Sequence, residues 1–310
     1  MSALICGSMA YDTIMVFHDK FKNHILPNKV HMLNVSFLVP HLRREYGGCA
    51  GNIAYNLKLL GEEPLIMATV GHDFEPYADW LSQCGISQEF IKILDGHYTG
   101  QAYITTDEDD NQITAFHPGA MNDSHLNSVP ENAGIDIGIV SPDGKLGMQE
   151  HARQFAAQNI PFIFDPGQGM PMFDGDELME LISLARYATF NDYESELMME
   201  RTGLSLEQLA EKVDALIITL GGKGSVIYSQ GEKFDIPAAK VKAIKDPTGC
   251  GDAFRAGLLY GLLNDYDWPT TGRIASLLGA IKIEHEGTQN HQFSLDDFKR
   301  RYQENFDTSF

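Results

Sequence analysis

The alternation of short apolar runs with helical patterns constrains this chain more than any other feature of its sequence. Runs rich in β-branched and aromatic residues predict strands at 3–7, 64–71, 136–141, 161–165, 187–191 and 215–221. Between most of them the apolar residues recur at helical spacing, as at 49–61, where Gly61 predicts the end of a helix. This alternation predicts an α/β fold with a doubly wound, mostly parallel sheet and helices on both faces. Ligands in such folds bind beyond the carboxyl ends of the strands.

Two segments depart from this alternation. Residues 13–46 contain strand-like pieces without an obvious helix between them, and residues 100–117 form a hairpin pattern around an acidic turn from Asp107 to Asn111. We therefore expect a small antiparallel sheet beside the core, which is either a lid that excludes water from a pocket or a plain surface sheet. The corresponding division is an α/β core of residues 1–12, 47–99 and 118–310, with a β lid of residues 13–46 and 100–117.

Composition limits the partners of this chain. Its 310 residues, of which 43% are hydrophobic, allow a substantial core. The balance of 23 basic against 43 acidic residues gives a net charge of −20, which argues against binding to nucleic acid. The four cysteines lack metal-binding spacing and predict reduced thiols. No signal peptide and no apolar run of about 18 residues is visible, so we expect a cytoplasmic protein without a membrane span.

The segment "DPTGCGD" at 246–252 stands directly before the apolar helical pattern "AFRAGLLYGLL". Glycines allow the backbone to approach a ligand closely, and a helix start offers unpaired N–H groups and a partial positive charge. That combination suits a phosphate and also favours the ionised form of Asp252. A carboxylate beside an anion hole can accept a proton from an attacking hydroxyl, as phosphoryl transfer to an alcohol requires. The alternative is a tight turn in which Asp252 only caps the helix.

Several common nucleotide-binding and hydrolase signatures are absent. "GGKGS" at 221–225 has glycine where the P-loop pattern requires Ser or Thr after the lysine. "GCGDAF" at 249–254 ends on Phe254, where the dinucleotide-binding pattern requires glycine. The chain also lacks GxSxG and HExxH. These absences exclude the usual motif-based assignments.

Five segments together resemble the ribokinase-like family, also called the PfkB-type carbohydrate and nucleoside kinases. "DPTGCGDAFRAGLLYGLL" resembles its C-terminal signature, and "YGGCAGNIAYNLKLLG" at 46–61 resembles its N-terminal signature. "GSMAYD" at 7–12, "NDYE" at 191–194 and "TLGGKGS" at 219–225 are similar to its substrate-binding start, NxxE motif and nucleotide-binding turn. The segments occur in the family's order and span essentially the whole chain. The resemblance implies an ATP-dependent kinase with an alcohol acceptor.

The resemblance implies roles for residues on the acceptor side. Asp252 is the expected catalytic base, and the backbone of Gly249, Cys250 and Gly251 is the expected anion hole for the γ-phosphate. The expected substrate-binding residues are Asp12, Gly48 and Asn52, with Asp12 holding two ribose hydroxyls. Gly47 and Gly48 are the expected hinge on which the lid closes.

The resemblance also implies a nucleotide and metal side. Asn191 and Glu194 are expected to organise Mg²⁺ through its waters, and Thr219, Gly221 and Gly224, with Asn191, are expected to line the ATP site. Asp246 and Thr248 correspond to positions at which relatives bind a monovalent cation. The partner segment at 284–291 matches only loosely, so dependence on K⁺ is left open.

The acceptor predicted from the sequence is a nucleoside, with adenosine first. The lid segment is rich in apolar residues that could cover a flat base, and Phe17 or Phe116 could stack on it. The 5′-hydroxyl of the nucleoside would then receive the phosphoryl group. Two alternatives stay open, which are a kinase of ribose or a related sugar and a catalytically silent ligand-binding member of the fold. The sequence is compatible with either a monomer or a homodimer.

Overall fold

A computed structural model describes residues 2–25, 34–109 and 111–310 of the chain. The strands are β1 (Ser2–Cys6), β2 (Ala10–Val16), β3 (His41–Gly47), β4 (Glu63–Val70), β5 (Ser87–Ile93), β6 (Gly100–Thr106), β7 (Gln112–His117), β8 (Ile137–Val140), β9 (Phe162–Phe164), β10 (Tyr187–Asn191), β11 (Ala215–Thr219), β12 (Ser225–Ser229) and β13 (Glu232–Ile236). The helices are α1 (Phe21–His24), α2 (Cys49–Leu59), α3 (Glu75–Gln83), α4 (Lys145–Ala157), α5 (Gly175–Leu184), α6 (Asp192–Thr202), α7 (Leu206–Ala210), α8 (Cys250–Leu263), α9 (Trp268–Ile283) and α10 (Leu295–Phe306).

The larger sheet has nine strands in the order β13-β12-β11-β10-β9-β8-β1-β4-β5. The run from β11 to β5 is parallel, and β12 and β13 extend its edge antiparallel. Because β1 pairs with both β4 and β8, the sheet grows in opposite directions from this point. Ligand sites of doubly wound sheets lie at such a switch point, beyond the carboxyl ends of the strands.

Strand β1 illustrates why the sheet is covered on both faces. Ala3 and Ile5 pack into one apolar cluster with residues of α2 and α8, whereas Leu4 and Cys6 pack into a second cluster with residues of α4 and α5. Successive side chains of a strand alternate between its faces, so a strand that is apolar throughout requires cover on both. The predicted α/β fold with helices on both faces is confirmed.

The smaller sheet has four strands in the order β3-β2-β6-β7. The β2–β3 and β6–β7 pairs are antiparallel, and the central pair of β2 with β6 is parallel. In the predicted hairpin turn, Asp107 Oδ1 accepts hydrogen bonds from the N–H groups of Asp109 and Asn111 at 3.0 and 2.9 Å. Residues 26–33 of the predicted lid and Asp110 of the predicted turn lie outside the described residues. The small sheet is confirmed, while its division from the core as a lid stays a proposal.

The register of the small sheet brings two candidate residues to one face. Asp12 of β2 pairs with Ala102 of β6, and Ala102 pairs with Phe116 of β7. Directly opposed residues share a face, and neighbouring strands are about 4.8 Å apart. Asp12 and Phe116 therefore lie on the same face, roughly 9–10 Å apart in the direction across the strands.

Within the described part of the chain, no helix has both the length and the apolar character needed to cross a membrane.

Candidate active site

Three cavities adjoin one another at the carboxyl ends of the parallel strands. The lid cavity, of about 530 Å³, lies beside the small sheet and is lined by Asp12, Asn52 and Phe116. The central cavity, of about 340 Å³, has a largely polar lining that includes Asp165, Asn191, Glu194 and Arg255. The turn cavity, of about 290 Å³, lies beside residues 219–224. Gly251 lines all three cavities, and Asp252 lines both the lid cavity and the central cavity.

The first turn of α8 forms the wall between these cavities. Gly249 precedes the helix with φ +77°, and a Cβ there would lie 2.9 Å from Thr288 Cγ2. The Cys250 N–H donates to the Pro247 carbonyl oxygen at 3.2 Å. Among the described residues, the N–H groups of Gly251 and Asp252 have no hydrogen-bond partner. A phosphate oxygen at this helix start would therefore meet free donors.

Asp252 lies in the first turn of α8, partly exposed to the lid cavity. Burial and the nearby Asp165 carboxylate raise its pKa to about 6, and the hydrogen bond from Asn52 Nδ2 at 2.8 Å opposes this shift. The expectation that the helix start favours the ionised form is thus outweighed by the loss of contact with water. Since a pKa of about 6 lies below neutrality, the carboxylate remains mostly ionised at pH 7.

A buried hydrogen-bond network holds Asn52. Gln289 Nε2 donates to Asn52 Oδ1 at 3.0 Å and to the Tyr77 hydroxyl at 2.6 Å. That hydroxyl donates to the Gly47 carbonyl oxygen at 2.9 Å. Because Asn52 Oδ1 accepts from Gln289, its Nδ2 is the atom that faces Asp252. The network connects the proposed hinge to the proposed base, and the sequence motifs did not reveal Tyr77 or Gln289 as members of the site.

Asp12 lies directly on the backbone of the predicted hinge. A Cβ on Gly47 would lie 2.5 Å from Asp12 Oδ2, so only glycine leaves room for the carboxylate. Gly48 has φ +87°, and a Cβ there would lie 2.5 Å from the Ser8 carbonyl oxygen. Burial and then the neighbouring Asp252 carboxylate raise the pKa of Asp12 to about 6. Two mutually repelling carboxylates therefore face the lid cavity.

Arg255 is a functional candidate that the motif analysis missed. Its Nε and Nη2 atoms donate to Asp165 Oδ1 at 3.1 and 2.9 Å, with 8% and 3% of the two side chains exposed. Ser141 donates to the other oxygen of Asp165 at 3.1 Å. Arginine binds phosphate oxygens well, and Arg255 lines the central cavity. The available signal was its position three residues after Asp252, which puts both side chains on one side of α8.

The NxxE motif forms a capping box at the start of α6. Asn191 Oδ1 accepts from the Glu194 N–H at 2.7 Å, and Glu194 Oε2 accepts from the Asn191 N–H at 2.8 Å. Burial raises the pKa of Glu194, and the Arg255 guanidinium opposes that shift. No group of three or more His, Cys, Asp or Glu residues in the described part of the chain could hold a metal ion. The Glu194 carboxylate lines the central cavity and is an oxygen ligand of the kind that fits Mg²⁺ held mainly by water and phosphate oxygens.

The turn after β11 lines the turn cavity. Thr219, Gly221 and Gly224 all belong to its lining, and Gly221 has φ +57° with open space where a Cβ would be. Packing also requires glycine at position 224, because a Cβ there would lie 2.0 Å from the Ile236 carbonyl oxygen. Lys223 is exposed and lines none of the three cavities. The rest of the lining is mainly apolar and suits a flat ring: Ala238, Ala239, Val241, Phe254, Ala280 and Ile283.

Asp246 and Thr248 are the residues expected to bind a monovalent cation, and the oxygens of Asp246 already accept hydrogen bonds. Asp246 Oδ1 accepts from the Thr248 N–H and Oδ2 accepts from the Gly287 N–H, each at 2.9 Å. The Asp246 carbonyl oxygen accepts from Lys282 Nζ at 2.7 Å. All three Asp246 oxygens therefore already accept hydrogen bonds, and the Lys282 ammonium lies beside the carbonyl oxygen at which a cation would bind.

The two aromatic candidates for base stacking differ in position. Phe116 lines the lid cavity and is 52% exposed. Phe17 is buried and does not line that cavity, since it stacks on Phe21 at 5.9 Å between ring centroids and packs against Phe37 at 4.8 Å. The suggestion that Phe17 could stack on a base is therefore wrong, and Phe116 remains as the candidate.

Known proteins resemble the chain over most of its length. The family described as pfkB family carbohydrate kinase matches residues 9–294. A nucleoside kinase of Methanocaldococcus jannaschii is 33% identical over 86% of this chain and 89% of its own. The structure of Burkholderia thailandensis nucleoside kinase in complex with inosine is 49% identical, has a TM-score of 0.90 and covers 99% of both chains. The same enzyme in complex with ADP-inosine is 50% identical, with a TM-score of 0.88 over 99% of this chain and 97% of that one.

The matched region contains four of the five motifs whole and the fifth from Met9 onward, and it contains every residue that lines the three cavities except Ser8. The sequence similarity and the shared sheet topology therefore agree with the local geometry. The chain belongs to the pfkB family of carbohydrate kinases, as an ATP-dependent phosphotransferase with the ribokinase-like fold.

Proposed function

We propose that this enzyme transfers the γ-phosphoryl group of ATP to the 5′-hydroxyl of a purine nucleoside, with adenosine as the first acceptor. The observation that carries the proposal is the composition of the lid cavity. Its lining combines polar residues, among them Asp12 and Asn52, with three large apolar side chains: Phe116, Met121 and Met172. A ribose and an attached base have this same division into polar and flat apolar parts.

The proposed orientation of the nucleoside follows from the small sheet. The Asp12 carboxylate accepts hydrogen bonds from two ribose hydroxyls, as its two oxygens allow. Phe116 lies roughly 9–10 Å away on the same face, at a suitable distance for the base. The 5′-hydroxyl then lies towards Asp252, which lines the same cavity. The inosine bound by the Burkholderia thailandensis relative supports a purine acceptor.

The proposed chemical step divides its work between Asp252 and its neighbours. The 5′-oxygen forms a bond to the γ-phosphorus, the bond from phosphorus to the β–γ bridging oxygen breaks, and ADP leaves. Asp252 accepts the hydroxyl proton, while the free N–H groups at the start of α8 and the Arg255 guanidinium stabilise charge on the transferring group. The pKa of about 6 leaves Asp252 ionised at neutral pH, which suffices for late proton transfer in a loose transition state.

The remaining assignments complete the nucleotide side. ATP would lie with its base in the turn cavity beside Thr219, Gly221 and Gly224 and with its phosphates in the central cavity. Mg²⁺, when bound, neutralises charge on these phosphates, and Asn191 and Glu194 would hold its waters. The donor chemistry supports this assignment, since Glu194 lines the central cavity with a partly buried carboxylate.

We further propose that residues 13–46 and 100–117 close over the acceptor. Gly47 and Gly48 connect β3 to α2, and Gly48 has a positive φ that non-glycine residues rarely adopt. Closure would exclude water from the phosphoryl group, which otherwise could be hydrolysed.

A sugar kinase is the main alternative, because ribose would use the same polar residues of the lid cavity. It would leave the wall formed by Phe116, Met121 and Met172 without a partner. A catalytically silent binding protein is the second alternative, and the retention of Asp252 beside free N–H donors and Arg255 argues against it.

The direct test measures ADP release with MgATP and adenosine, inosine, cytidine, ribose or fructose 6-phosphate. We expect kcat/KM for adenosine or inosine to exceed that for ribose by at least about 100-fold, since loss of base contacts removes ~3 kcal/mol of binding. Turnover of ribose without turnover of any nucleoside would contradict the proposal.

A pair of variants tests the position of the base. Phe116→Ala should raise KM for the nucleoside about 5- to 100-fold, because stacking contributes ~1–3 kcal/mol per base. Tyr103→Ala is the matched control, since Tyr103 is exposed on the opposite face of the same sheet, where its register partner is Ala115. Equal effects of the two substitutions would place the base elsewhere.

A further inference from the structure

Lys282 is a buried lysine at the end of α9. Its relative exposure is 0%, and its Nζ donates to the carbonyl oxygens of Asp246 at 2.7 Å and His285 at 3.2 Å. No carboxylate oxygen lies within 4.0 Å of this ammonium among the described residues, so it forms no ordinary salt bridge. Burial lowers the pKa of Lys282, and the Asp246 carboxylate opposes that shift without a direct ion pair, so a positive charge at this position is costly to bury.

The ligands of this ammonium connect two segments beneath the start of α8. Asp246 begins the segment that leads into Gly249, and His285 lies in the segment that leads to Thr288, which packs against Gly249. The Gly287 N–H bonds Asp246 Oδ2 at 2.9 Å, and the Lys245 N–H bonds the Ile283 carbonyl oxygen at 2.9 Å. Lys282 therefore connects the segment 246–249 to the segment 285–288, and these two segments together support the proposed anion hole.

Ligation by two backbone carbonyl oxygens is the chemistry by which proteins also hold a monovalent cation. An ammonium has the same charge and presents three donors to such oxygens. Because all three Asp246 oxygens already accept hydrogen bonds, one of them from Lys282, the chain supplies positive charge at this point from its own side chain.

We propose that the Lys282 ammonium is a built-in monovalent cation that holds residues 246–249 in place beneath the transferring phosphoryl group, so that catalysis does not require added K⁺. Lys282 is a positioning residue, because it acts through the backbone of the anion hole. The inference rests on the proposed role of residues 249–251 and does not depend on which acceptor is phosphorylated.

The first experiment uses the unaltered enzyme with the best acceptor found. We expect kcat and KM for ATP to differ by less than about twofold between KCl, NaCl and choline chloride at equal ionic strength. Activation by K⁺ of about tenfold or more over choline would overturn the proposal, because it would reveal a separate ion site.

The second experiment compares substitutions of Lys282. Lys282→Ala should lower kcat in choline chloride about 10- to 100-fold, as expected for the loss of charge-assisted hydrogen bonds. K⁺ or NH₄⁺ should restore much of this loss, whereas Li⁺, which keeps its water shell more tightly, should not. Lys282→Met fills the space without charge and should be impaired but not rescued. Lys245→Ala, an exposed lysine next to Asp246, is the matched control and should behave like the unaltered enzyme.

Thermal unfolding supplies a readout that needs no acceptor. The Tm of Lys282→Ala should rise with K⁺ or NH₄⁺ relative to choline, and the Tm of the unaltered enzyme should not. A folded Lys282→Ala enzyme with near-normal kcat in choline, or one that no cation rescues, would overturn the proposal. If Lys282→Ala does not fold, the cation series on the unaltered enzyme and Lys282→Met still decide the question. Failure of every acceptor would refute the proposed function, but it would leave the Tm comparison intact.

Discussion

Asp12 and Asp252 have raised pKa values for a shared reason. Each is removed from bulk water, and the Asp252 charge adds to the shift of Asp12. In the folded protein both carboxyl groups bind protons more tightly than in the unfolded chain, so their ionisation lowers stability as pH rises through about 6. Such a cost is typical of residues retained for chemistry rather than for folding.

Replacement of Asp252 by Asn tests its role as the base. Asp252→Asn should lower kcat about 10²- to 10⁴-fold while leaving ATP affinity nearly unchanged, because proton acceptance is lost and the backbone donors remain. At pH 8 its Tm should be higher than that of the unaltered enzyme, because a destabilising charge is removed. Steady-state kinetics, ATP titration calorimetry and thermal unfolding measure these effects. Asp296→Asn, in the exposed first turn of α10, is the control, and full activity of Asp252→Asn would refute the assignment.

The pH profile tests the same carboxylates without mutation. Both groups must be ionised for acceptor binding and proton transfer, so kcat/KM should be flat from about pH 7 to 8.5 and fall below about pH 6. Because both groups are required, the slope of log kcat/KM against pH should approach two well below pH 6. The profile requires an acceptor that does not itself titrate in this range. Undiminished kcat/KM at pH 5 would be incompatible with Asp252 as the base.

At the scale of secondary structure, the network from Gly47 to Asp252 connects β3, α2 and the segment after α9. Tyr77 bridges these elements from α3, and its hydroxyl is fully enclosed. The segment around Gln289 matches the family only loosely in sequence, yet it makes the contact that orients Asn52. These hydrogen bonds connect the proposed hinge to the proposed base.

Tyr77→Phe tests this network. It removes the hydrogen bond to the Gly47 carbonyl oxygen and leaves the Gln289 amide without one acceptor, so kcat should fall about 5- to 30-fold and stability by about 1–2 kcal/mol. Tyr302→Phe is the matched control, because the buried Tyr302 hydroxyl has no hydrogen-bond partner among the described residues. Urea unfolding and steady-state kinetics measure the two effects. Equal changes in both variants would show that the network has no special part in catalysis.

The strands of the core could be predicted because a strand that is buried on both faces of a sheet has a continuous apolar run in its sequence. The predicted strand at 187–191 coincides with β10, and the predicted helix at 49–61 corresponds to α2, followed by Gly61 with φ +93°. The parallel pairing of β2 with β6 was not predicted, since it joins segments about 90 residues apart in the chain. A local hydrophobic pattern does not indicate which distant strand will pair with a given strand.

The site was predictable to the extent that its chemistry lies in contiguous motifs. The glycine turn and Asp252 are adjacent in the chain, and so are Asn191 and Glu194. The NxxE motif also satisfies the capping-box pattern, which the sequence could have revealed. The hydrogen bond between Arg255 and Asp165 joins residues 90 positions apart in the chain, and the one between Lys282 and Asp246 joins residues 36 positions apart. These contacts form only when the helices pack on the sheet.

At the scale of the whole molecule, an acidic protein must bind polyphosphate. The net charge of −20 opposes this, and the structure counters it locally with backbone donors and two buried cations, Arg255 and Lys282. The small sheet adds a second requirement, since it must move for the acceptor to enter if it acts as a lid. Trp80 lies beside the proposed hinge, stacked on Tyr46 at 5.5 Å between ring centroids, with Nε1 donating to Gln289 at 2.8 Å.

Fluorescence of Trp80 tests the lid proposal. The chain has two tryptophans, so Trp268→Phe leaves Trp80 as the single reporter. Saturating nucleoside should change its emission, because closure alters its contacts with Tyr46 and Gln289, whereas ADP alone should change it much less. Trp80→Phe with Trp268 retained is the control and should respond to neither ligand. Unchanged emission at a nucleoside concentration shown by calorimetry to saturate the site would contradict closure about this hinge.

The central claim is that Asp252 deprotonates an acceptor hydroxyl at the junction of the lid and central cavities. A crystal structure with adenosine or inosine and a non-hydrolysable ATP analogue measures this directly. We expect the 5′-oxygen about 2.6–3.2 Å from an Asp252 carboxylate oxygen and in line with the γ-phosphorus, with the ribose on Asp12. A nucleoside whose 5′-oxygen lies away from Asp252, or whose ribose lies outside the lid cavity, would contradict the account.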